Sequence, residues 1–72
     1  MKIKITYNLY VIRMRKGLSE RELSKISNVS KTAINDIENK NENANPTMKT
    51  VGRLAAALGI KPEELFNFSV YH

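Results

Sequence analysis

The stretch that decides the fold is Glu20–Asn39, ERELSKISNVSKTAINDIEN. Ser19 and Glu22 form the S-x-x-E capping pattern, which predicts that a helix starts directly after the serine. Asn28 is expected to end that helix, because asparagine tolerates a positive φ better than most residues other than glycine. Ser30 offers a second N-cap two residues later. The stretch therefore predicts two short helices joined by a tight turn.

The second of these helices has an apolar side and a polar side. Ile34 and Ile37 share one side at helical spacing, Leu23 and Ile26 of the preceding helix are expected to face inwards, and Val29 fills the turn. The polar side consists of short hydrogen-bonding residues: Lys31, Thr32, Asn35, Asp36 and Asn39. A helix that packs by its apolar side and presents a polar front has the geometry needed to enter a DNA groove.

Composition limits the class of protein. The 72 residues are enough for one domain with a modest core. They include no cysteine, which excludes disulfides and thiolate metal sites and fits a cytoplasmic location. No apolar run approaches the roughly 20 residues that span a bilayer, so we expect no membrane association.

The net charge of +5 is unevenly distributed. Residues 1–31 hold eight Lys/Arg and two Glu, a net charge of +6, whereas residues 32–72 hold four Lys/Arg and five acids, a net charge of −1. This asymmetry favours a polyanionic partner for the N-terminal half, and it is equally compatible with a solvated basic face.

Caps and helix breakers define the remaining helices. The first helix is predicted to end before Gly17, and Thr47 begins a fourth helix that Gly59 ends. Pro62 begins a fifth, because proline suits the first helical position. We therefore predict an all-α fold, a compact five-helix bundle in a single domain over residues 1–72.

The two ends of the chain leave alternatives open. Residues 1–5 alternate apolar and charged side chains, which indicates a short strand, an extended arm or a frayed end that docks Ile5 on the core. The tail, residues 67–72, either folds back on the core or meets another subunit. In the second case, the dimer surface comes from the apolar residues near the C-terminus: Leu65, Phe66, Phe68, Val70 and Tyr71.

Several motifs occur in a characteristic order. They are G-L-S at Gly17–Ser19, E-L-S at Glu22–Ser24, N-V-S at Asn28–Ser30, I-N-D-I-E-N at Ile34–Asn39, P-T at Pro46, and L-A-A-A-L-G-I with P-E-E-L-F between Leu54 and Phe66. Over about residues 9–66 this ordered set resembles the Cro/C1-type helix-turn-helix domain, the XRE family of the lambdoid phage repressors. The resemblance implies a lambda-repressor-like bundle in which helices 2 and 3, residues 20–39, read DNA.

The resemblance also implies that four polar side chains of helix 3 face base edges in the major groove: Lys31, Thr32, Asn35 and Asp36. Their chemistry suits this role, since lysine donates to guanine, asparagine pairs with adenine, threonine contacts a thymine methyl and aspartate accepts from cytosine. Ala33 lets the backbone approach a thymine methyl. Phosphate contacts are expected at the start of helix 2 and beyond helix 3: Ser19, Glu20, Arg21, Asn39, Lys40 and Asn41.

The family further pairs an arginine of helix 1 with a glutamate near the end of helix 3, and these align with Arg13 and Glu38. A bidentate pair of this kind would lock helix 3 onto helix 1. Three features depart from the family, and one of them is that Asn39-Lys40 stands where Asn-Gly is usual, followed by a longer loop before Pro46. The other two are single positions. Glu20 stands where a phosphate-binding glutamine is common, and Asn28 replaces the turn glycine.

The sequence contains no arrangement of residues that indicates catalysis or a cofactor. The one histidine, His72, is the last residue and is expected to be solvated, and Glu63 and Glu64 are explained by a helix start. A single histidine without cysteines makes a tetrahedral metal site unexpected. We therefore predict a protein that is not an enzyme and that holds neither cofactor nor metal.

These observations together predict a sequence-specific, DNA-binding transcriptional regulator that acts as a repressor. It is expected to bind a palindromic operator in double-stranded DNA as a homodimer, with helix 3 of each subunit in successive major grooves about 34 Å apart. The alternative is a protein-interaction module with the same fold, such as an antitoxin-type or phage-regulator partner. Glu20 and Asp36, two acids on the side that would face DNA, motivate that alternative.

Overall fold

The computed structural model describes residues 1–71, so His72, which was expected to be solvated, lies outside the described residues. The chain forms two strands and four α-helices: β1 (Lys2–Tyr7), α1 (Leu9–Arg15), α2 (Glu20–Ser27), α3 (Lys31–Lys40), α4 (Met48–Leu58) and β2 (Phe66–Tyr71). Single turns of 3-10 helix follow α3 and α4, at Asn41–Asn43 and Pro62–Glu64. No helix among residues 1–71 is long and apolar enough to cross a membrane.

The helix boundaries predicted from capping residues are confirmed. Ser19 Oγ accepts a hydrogen bond from the Glu22 N–H at 3.0 Å, and the Glu22 carboxylate accepts one from the Ser19 N–H at 2.9 Å. Asn28 ends α2 with φ 60° and ψ 30°, in the left-handed region. Thr47 caps α4 and Gly59 ends it with φ 68°. Local hydrogen bonding therefore sets where these helices begin and end.

The predicted fifth helix is wrong. Pro62–Glu64 make only one 3-10 turn, and the chain then becomes β2. β2 pairs antiparallel with β1, in a register that runs from Lys2 opposite Tyr71 to Tyr7 opposite Phe66. A very short helix is unstable by itself. The tail, in which apolar and polar residues alternate, therefore pairs with β1 instead of extending the turn at Pro62–Glu64 into a helix. The fold is mostly helical with a small two-stranded sheet, which we call the ribbon. The first residues are thus a paired strand, and the tail folds back.

The core lies between the four helices and the base of the ribbon. Its fully buried large side chains are Leu9, Leu23, Ile34, Leu54 and Leu65. Ile26, which was predicted to face inwards, is 57% exposed, and Ser27 is buried instead. The reason lies in the turn, because Ser27 Oγ accepts a hydrogen bond from the Val29 N–H at 3.2 Å. That bond requires Ser27 to face inwards with Leu23, one helical turn before it.

Candidate nucleic-acid interface

The helix α3 is fixed in place by its buried apolar side and by its N-terminal cap. Ile34 and Ile37 are buried in the core, and Ser30 Oγ caps the helix by accepting a hydrogen bond from the Ala33 N–H at 3.1 Å. The left-handed turn at Asn28 directs α3 across α2. The polar side of α3 therefore faces outwards on a rigid support.

Three of the five predicted base-contacting residues lie fully on this outward side, whereas Ala33 packs partly against the core. Lys31, Thr32 and Asn35 are exposed and border the same shallow depression. Ala33 and Asp36 are half-buried and line a neighbouring groove that continues into the loop before α4. A carboxylate oxygen of Asp36 lies 3.8 Å from the Nζ of Lys40, one helical turn further on. Asp36 is therefore paired with a cation rather than isolated on this face.

The start of α2 lies beside the start of α3. Ser19, Glu20 and Arg21 border a depression that they share with Lys31 and Arg13. Ser19 Oγ accepts a hydrogen bond within the capping box, so its own proton remains available for donation. Three of the predicted phosphate-contacting residues are thus adjacent to the first predicted base-contacting residue.

Glu20 is connected to the polar side of α3 by hydrogen bonds. Asn35 Nδ2 donates to Glu20 Oε2 at 3.4 Å, and Asn39 Nδ2 donates to Asn35 Oδ1 at 2.9 Å. These two bonds fix which end of the Asn35 amide points towards each neighbour. The glutamate that departs from the family pattern thus orients a residue expected to read bases.

Asn41, one of the predicted phosphate-contacting residues, has its side chain bound to β1 in the structure. Its Oδ1 accepts a hydrogen bond from the Tyr7 N–H at 3.0 Å, and its Nδ2 donates to the Tyr7 carbonyl oxygen at 3.1 Å. Its backbone N–H donates to the carbonyl oxygen of Ile37. The side chain of Asn41 therefore joins the end of α3 to β1. The exposed phosphate candidates at this end of α3 are Asn39 and Lys40.

Arg13 and Glu38 form a nearly buried ion pair. Arg13 Nε and Nη2 donate to the two carboxylate oxygens of Glu38 at 2.7 and 2.9 Å, and Arg13 Nη1 donates to the carbonyl oxygen of Leu18 at 2.8 Å. The pKa of Arg13 is raised above its ordinary value, chiefly by the hydrogen bonds to Glu38. The pair connects α1, α3 and the turn before α2, and it lies behind the polar face of α3.

The ribbon has one apolar face and one polar face. Cross-strand pairs place six apolar residues on the same side: Ile3, Ile5, Tyr7, Phe66, Phe68 and Val70. Tyr7 and Phe66 pack against the core, whereas Ile3 and Phe68 are each 57% exposed. The opposite face carries Lys2, Lys4, Thr6, Asn67, Ser69 and Tyr71.

This arrangement changes the predicted dimer surface. Leu65 is only 1% exposed, so it belongs to the core, and Tyr71 lies on the polar face. Phe68 and Val70 remain exposed on the apolar face, where Ile3 and Ile5 accompany them. Sequence analysis missed the two isoleucines as surface candidates. Their alternation with Lys2 and Lys4 was the available signal, but its significance depends on pairing with the tail.

Acidic and histidine side chains do not cluster in a way that suits a metal. Among residues 1–71, no group of three or more His, Cys, Asp or Glu residues is positioned to hold a metal ion.

The capped helix α2, the left-handed turn and the buttressed helix α3 define a helix-turn-helix protein. A family model described as helix-turn-helix matches residues 9–65. The chain belongs to this family, in its Cro/C1-type (XRE) branch. Members are DNA-binding transcriptional regulators and are generally not enzymes.

Solved structures of regulators are similar to this chain. The restriction-modification controller protein C.AhdI from Aeromonas hydrophila is 30% identical, with a TM-score of 0.69 over 78% of this chain and 82% of its own. The hypothetical transcription factor NHTF from Neisseria is 28% identical, with a TM-score of 0.70 over 79% of this chain and 62% of its own. The transcriptional regulator VanUg shares the fold at 14% identity, with a TM-score of 0.74 over 99% of this chain and 92% of its own. No curated protein sequence matches the chain.

Proposed function

We propose that this protein is a sequence-specific repressor that binds a palindromic operator as a homodimer, with α3 of each subunit in the major groove. The observation that carries the proposal is the group of Lys31, Thr32 and Asn35, exposed together on a helix whose other side is buried. Lysine and asparagine are suited to guanine and adenine edges, and threonine to a thymine methyl. The similarity to a restriction-modification controller and to a transcription factor supports a regulatory role.

Phosphate contacts would flank this group on two sides. Ser19 and Arg21 lie at the start of α2, and Asn39 and Lys40 lie at the end of α3. Contacts to the phosphate backbone position a protein on DNA, whereas contacts to base edges give specificity. Glu20 would act here by orienting Asn35 rather than by binding phosphate itself.

The homodimer would form through the exposed part of the apolar ribbon face, Ile3, Phe68 and Val70, with the half-buried Ile5 beside them. This face carries no charge, so it does not fit DNA or another polyanion, and an identical face is complementary to it in polarity. Isolated two-stranded sheets are marginal in water, and packing two ribbons face to face would bury what each exposes. A two-fold axis at this contact matches the two-fold symmetry of a palindromic site.

Selection of binding sites from random DNA duplexes at physiological salt tests this function. We expect enrichment of a palindromic motif. The double variant Lys31→Ala/Asn35→Ala should bind with relaxed preference at the positions that these side chains read. The matched control is Lys61→Ala, which also removes a lysine but lies between α4 and the ribbon, outside the interface. The proposal is overturned if no motif is enriched, or if the double variant selects the same motif as the wild type.

The salt dependence of binding separates this function from a protein-interaction module. Because DNA binding releases counterions, the affinity for the selected motif should fall steeply as the salt concentration rises. Replacement of a single phosphate-contacting lysine such as Lys40 should reduce the slope of log K against log salt by about 1. If the protein shows no salt-dependent affinity for DNA, the alternative function as a protein-interaction module is favoured.

A further inference from the structure

The residue that follows α3 has an unusual backbone conformation. Asn41 has φ 43° and ψ −103°, which lies outside the left-handed helical region that asparagine commonly visits. Apart from Asn28, it is the one non-glycine residue with positive φ among residues 1–71. Such a conformation persists only where the surroundings hold it, and it frequently marks a functional constraint.

The side chain of Asn41 supplies that constraint. Its Oδ1 accepts a hydrogen bond from the Tyr7 N–H at 3.0 Å, and its Nδ2 donates to the Tyr7 carbonyl oxygen at 3.1 Å. Tyr7 is the last residue of β1, where the strand joins the helical part of the molecule. Two bonds to one residue fix an orientation as well as a distance. The backbone N–H of Asn41 at the same time completes the last turn of α3. A single residue therefore joins the end of α3 to the base of the ribbon.

The other polar connections of the ribbon do not replace this one. Lys4 and Glu42 form an ion pair of 2.9 Å, but both side chains are about half exposed, and such pairs contribute little. On the other side, Asn8 hydrogen-bonds Asn67 and the backbone of Leu65, which connects the ribbon to α1 and the 3-10 turn after α4. Among the described residues, Asn41 makes the half-buried link between the ribbon and α3.

We propose that Asn41 is a positioning residue that sets the angle between α3 and the ribbon, and thereby the half-site spacing that the dimer accepts. The proposal rests on the proposed function, in which α3 reads DNA and the ribbon joins the two subunits. One more base pair between the half-sites moves them about 3.4 Å further apart and rotates one relative to the other by about 34–36°. Because a two-fold axis shares the change equally between the subunits, a shift of about 1.7 Å together with a rotation of about 17° per subunit changes the preferred spacing by one base pair.

Three variants test the two hydrogen bonds between the Asn41 side chain and Tyr7, which we call the side-chain clamp. Asn41→Gly removes both hydrogen bonds to Tyr7 while its backbone tolerates positive φ. Asn41→Asp keeps an acceptor for the Tyr7 N–H but loses the donor to the Tyr7 carbonyl oxygen. Glu42→Gln is the matched control, because it breaks the exposed ion pair between the same loop and the same strand.

The first measurement uses palindromic duplexes whose half-site separation is varied by one or two base pairs. The wild type and Glu42→Gln should bind the duplex with one spacing about tenfold or more tighter than the others. At the other spacings, only one subunit of a rigid dimer can engage its half-site, so the gain from linked binding is lost. Asn41→Gly should remain dimeric and, relative to its own affinity for an isolated half-site, discriminate between spacings by no more than about threefold. An Asn41→Gly profile as sharp as that of the wild type overturns the proposal.

The second measurement needs no DNA. Since the chain has no cysteine, spin labels can be placed at Ser69→Cys on the ribbon and Ile26→Cys on the exposed side of α2, with labelled chains diluted in unlabelled protein. We expect a narrow distance distribution in the wild type and in Glu42→Gln, a broad one in Asn41→Gly, and an intermediate one in Asn41→Asp. A broad distribution in the wild type, or no broadening in either Asn41 variant, overturns the proposal.

The two measurements distinguish this inference from the proposed function. If the wild type shows a narrow distribution that broadens in the Asn41 variants, yet binds no palindromic DNA, then the clamp exists and the proposed function fails. If Asn41→Gly does not fold, Asn41→Asp and the wild-type distribution still decide the outcome. A melting curve recorded for each variant identifies that case.

Discussion

Arg13 illustrates how one buried charge can organise a small domain. Its guanidinium donates to both oxygens of Glu38 and to the carbonyl oxygen of Leu18, and it lies 5.4 Å from the centre of the Tyr10 ring. Removing two charges from water is costly, so the net contribution of such a pair to stability is small. The pair instead favours the packing of α3 on α1 that is observed, since separating the two side chains within the domain would leave a buried charge without its partner.

The buried ion pair predicts unequal effects of single and double substitutions on stability. Glu38→Ala should lower the free energy of unfolding by about 3–5 kcal/mol, because it leaves Arg13 charged and unpaired in a site that is almost closed to water. The double variant Arg13→Met/Glu38→Leu should cost clearly less. Urea unfolding followed by circular dichroism measures both. Equal losses in the two variants would contradict this account of the pair.

At the residue scale, the sequence predicted which side chains face outwards better than it predicted their hydrogen-bond partners. Lys31, Thr32 and Asn35 could be assigned to an outward face because helical periodicity extends over only a few residues. The bonds from Asn35 to Glu20 and from Asn41 to Tyr7 span 15 and 34 residues. Such bonds depend on how elements pack, so the pattern along the chain does not contain them. The Arg13–Glu38 pair, 25 residues apart, was expected only from the family resemblance.

Among the elements, α2 has the most complete local specification. Its capping box satisfies two backbone N–H groups that a helix start would otherwise leave unpaired. The pKa of Glu22 is lowered from its ordinary value, first by the hydrogen bond from the Ser19 N–H and then by the Ser19 hydroxyl. A lowered carboxylate pKa means that this stabilisation is present above the ordinary value of 4.5 and is lost as the pH falls through the folded-state value.

The capping box therefore predicts a pH-dependent difference between variants. Glu22→Ala should melt at a lower temperature than the wild type at pH 7, and the difference should disappear when the pH falls well below 4.5, where Glu22 is protonated in both states. Ser19→Ala is the control. It removes the oxygen that accepts from the Glu22 N–H, and its effect should persist in acid. A Glu22→Ala difference that is the same at both pH values would refute this prediction.

The ribbon shows the limit of element-level prediction. Alternation in residues 1–5 indicated a strand as one of several possibilities, and the sequence after Pro62 predicted a helix. Each strand alone has too few residues to be stable, and whether it forms depends on the other. The two strands come from opposite ends of the chain, so neither segment by itself carries the evidence for pairing.

At the scale of the whole molecule, α3 and the ribbon present two surfaces of different polarity. The polar side of α3 presents hydrogen-bonding groups, whereas the ribbon presents a face without charge, on which Phe68 is 57% and Val70 48% exposed. Large exposed apolar side chains that adjoin one another mark an interaction site more often than scattered ones do. The proposed dimer contact and the proposed DNA contact therefore use different residues of the chain.

The proposed dimer predicts opposite results for two neighbouring substitutions. Phe68→Asp should convert the protein to a monomer, because it places a charge in the apolar contact, and should weaken binding to the palindrome by about 10²–10⁴-fold through loss of linked binding. Ser69→Asp adds the same charge on the opposite face and should leave the dimer intact. Sedimentation over a range of concentrations measures both. A dimeric Phe68→Asp protein would exclude this face as the interface.

The sequence by itself determined the features that arise within a few residues along the chain. These are the caps at Ser19, Ser30 and Thr47, the left-handed turn at Asn28, and the apolar and polar sides of α3. The tertiary structure alone decided that the two ends of the chain pair and that Asn41 joins α3 to β1. The physical reason is range. A cap or a helical period is completed by neighbours up to four residues away, whereas a strand pair or a side-chain clamp forms only between segments that folding brings together.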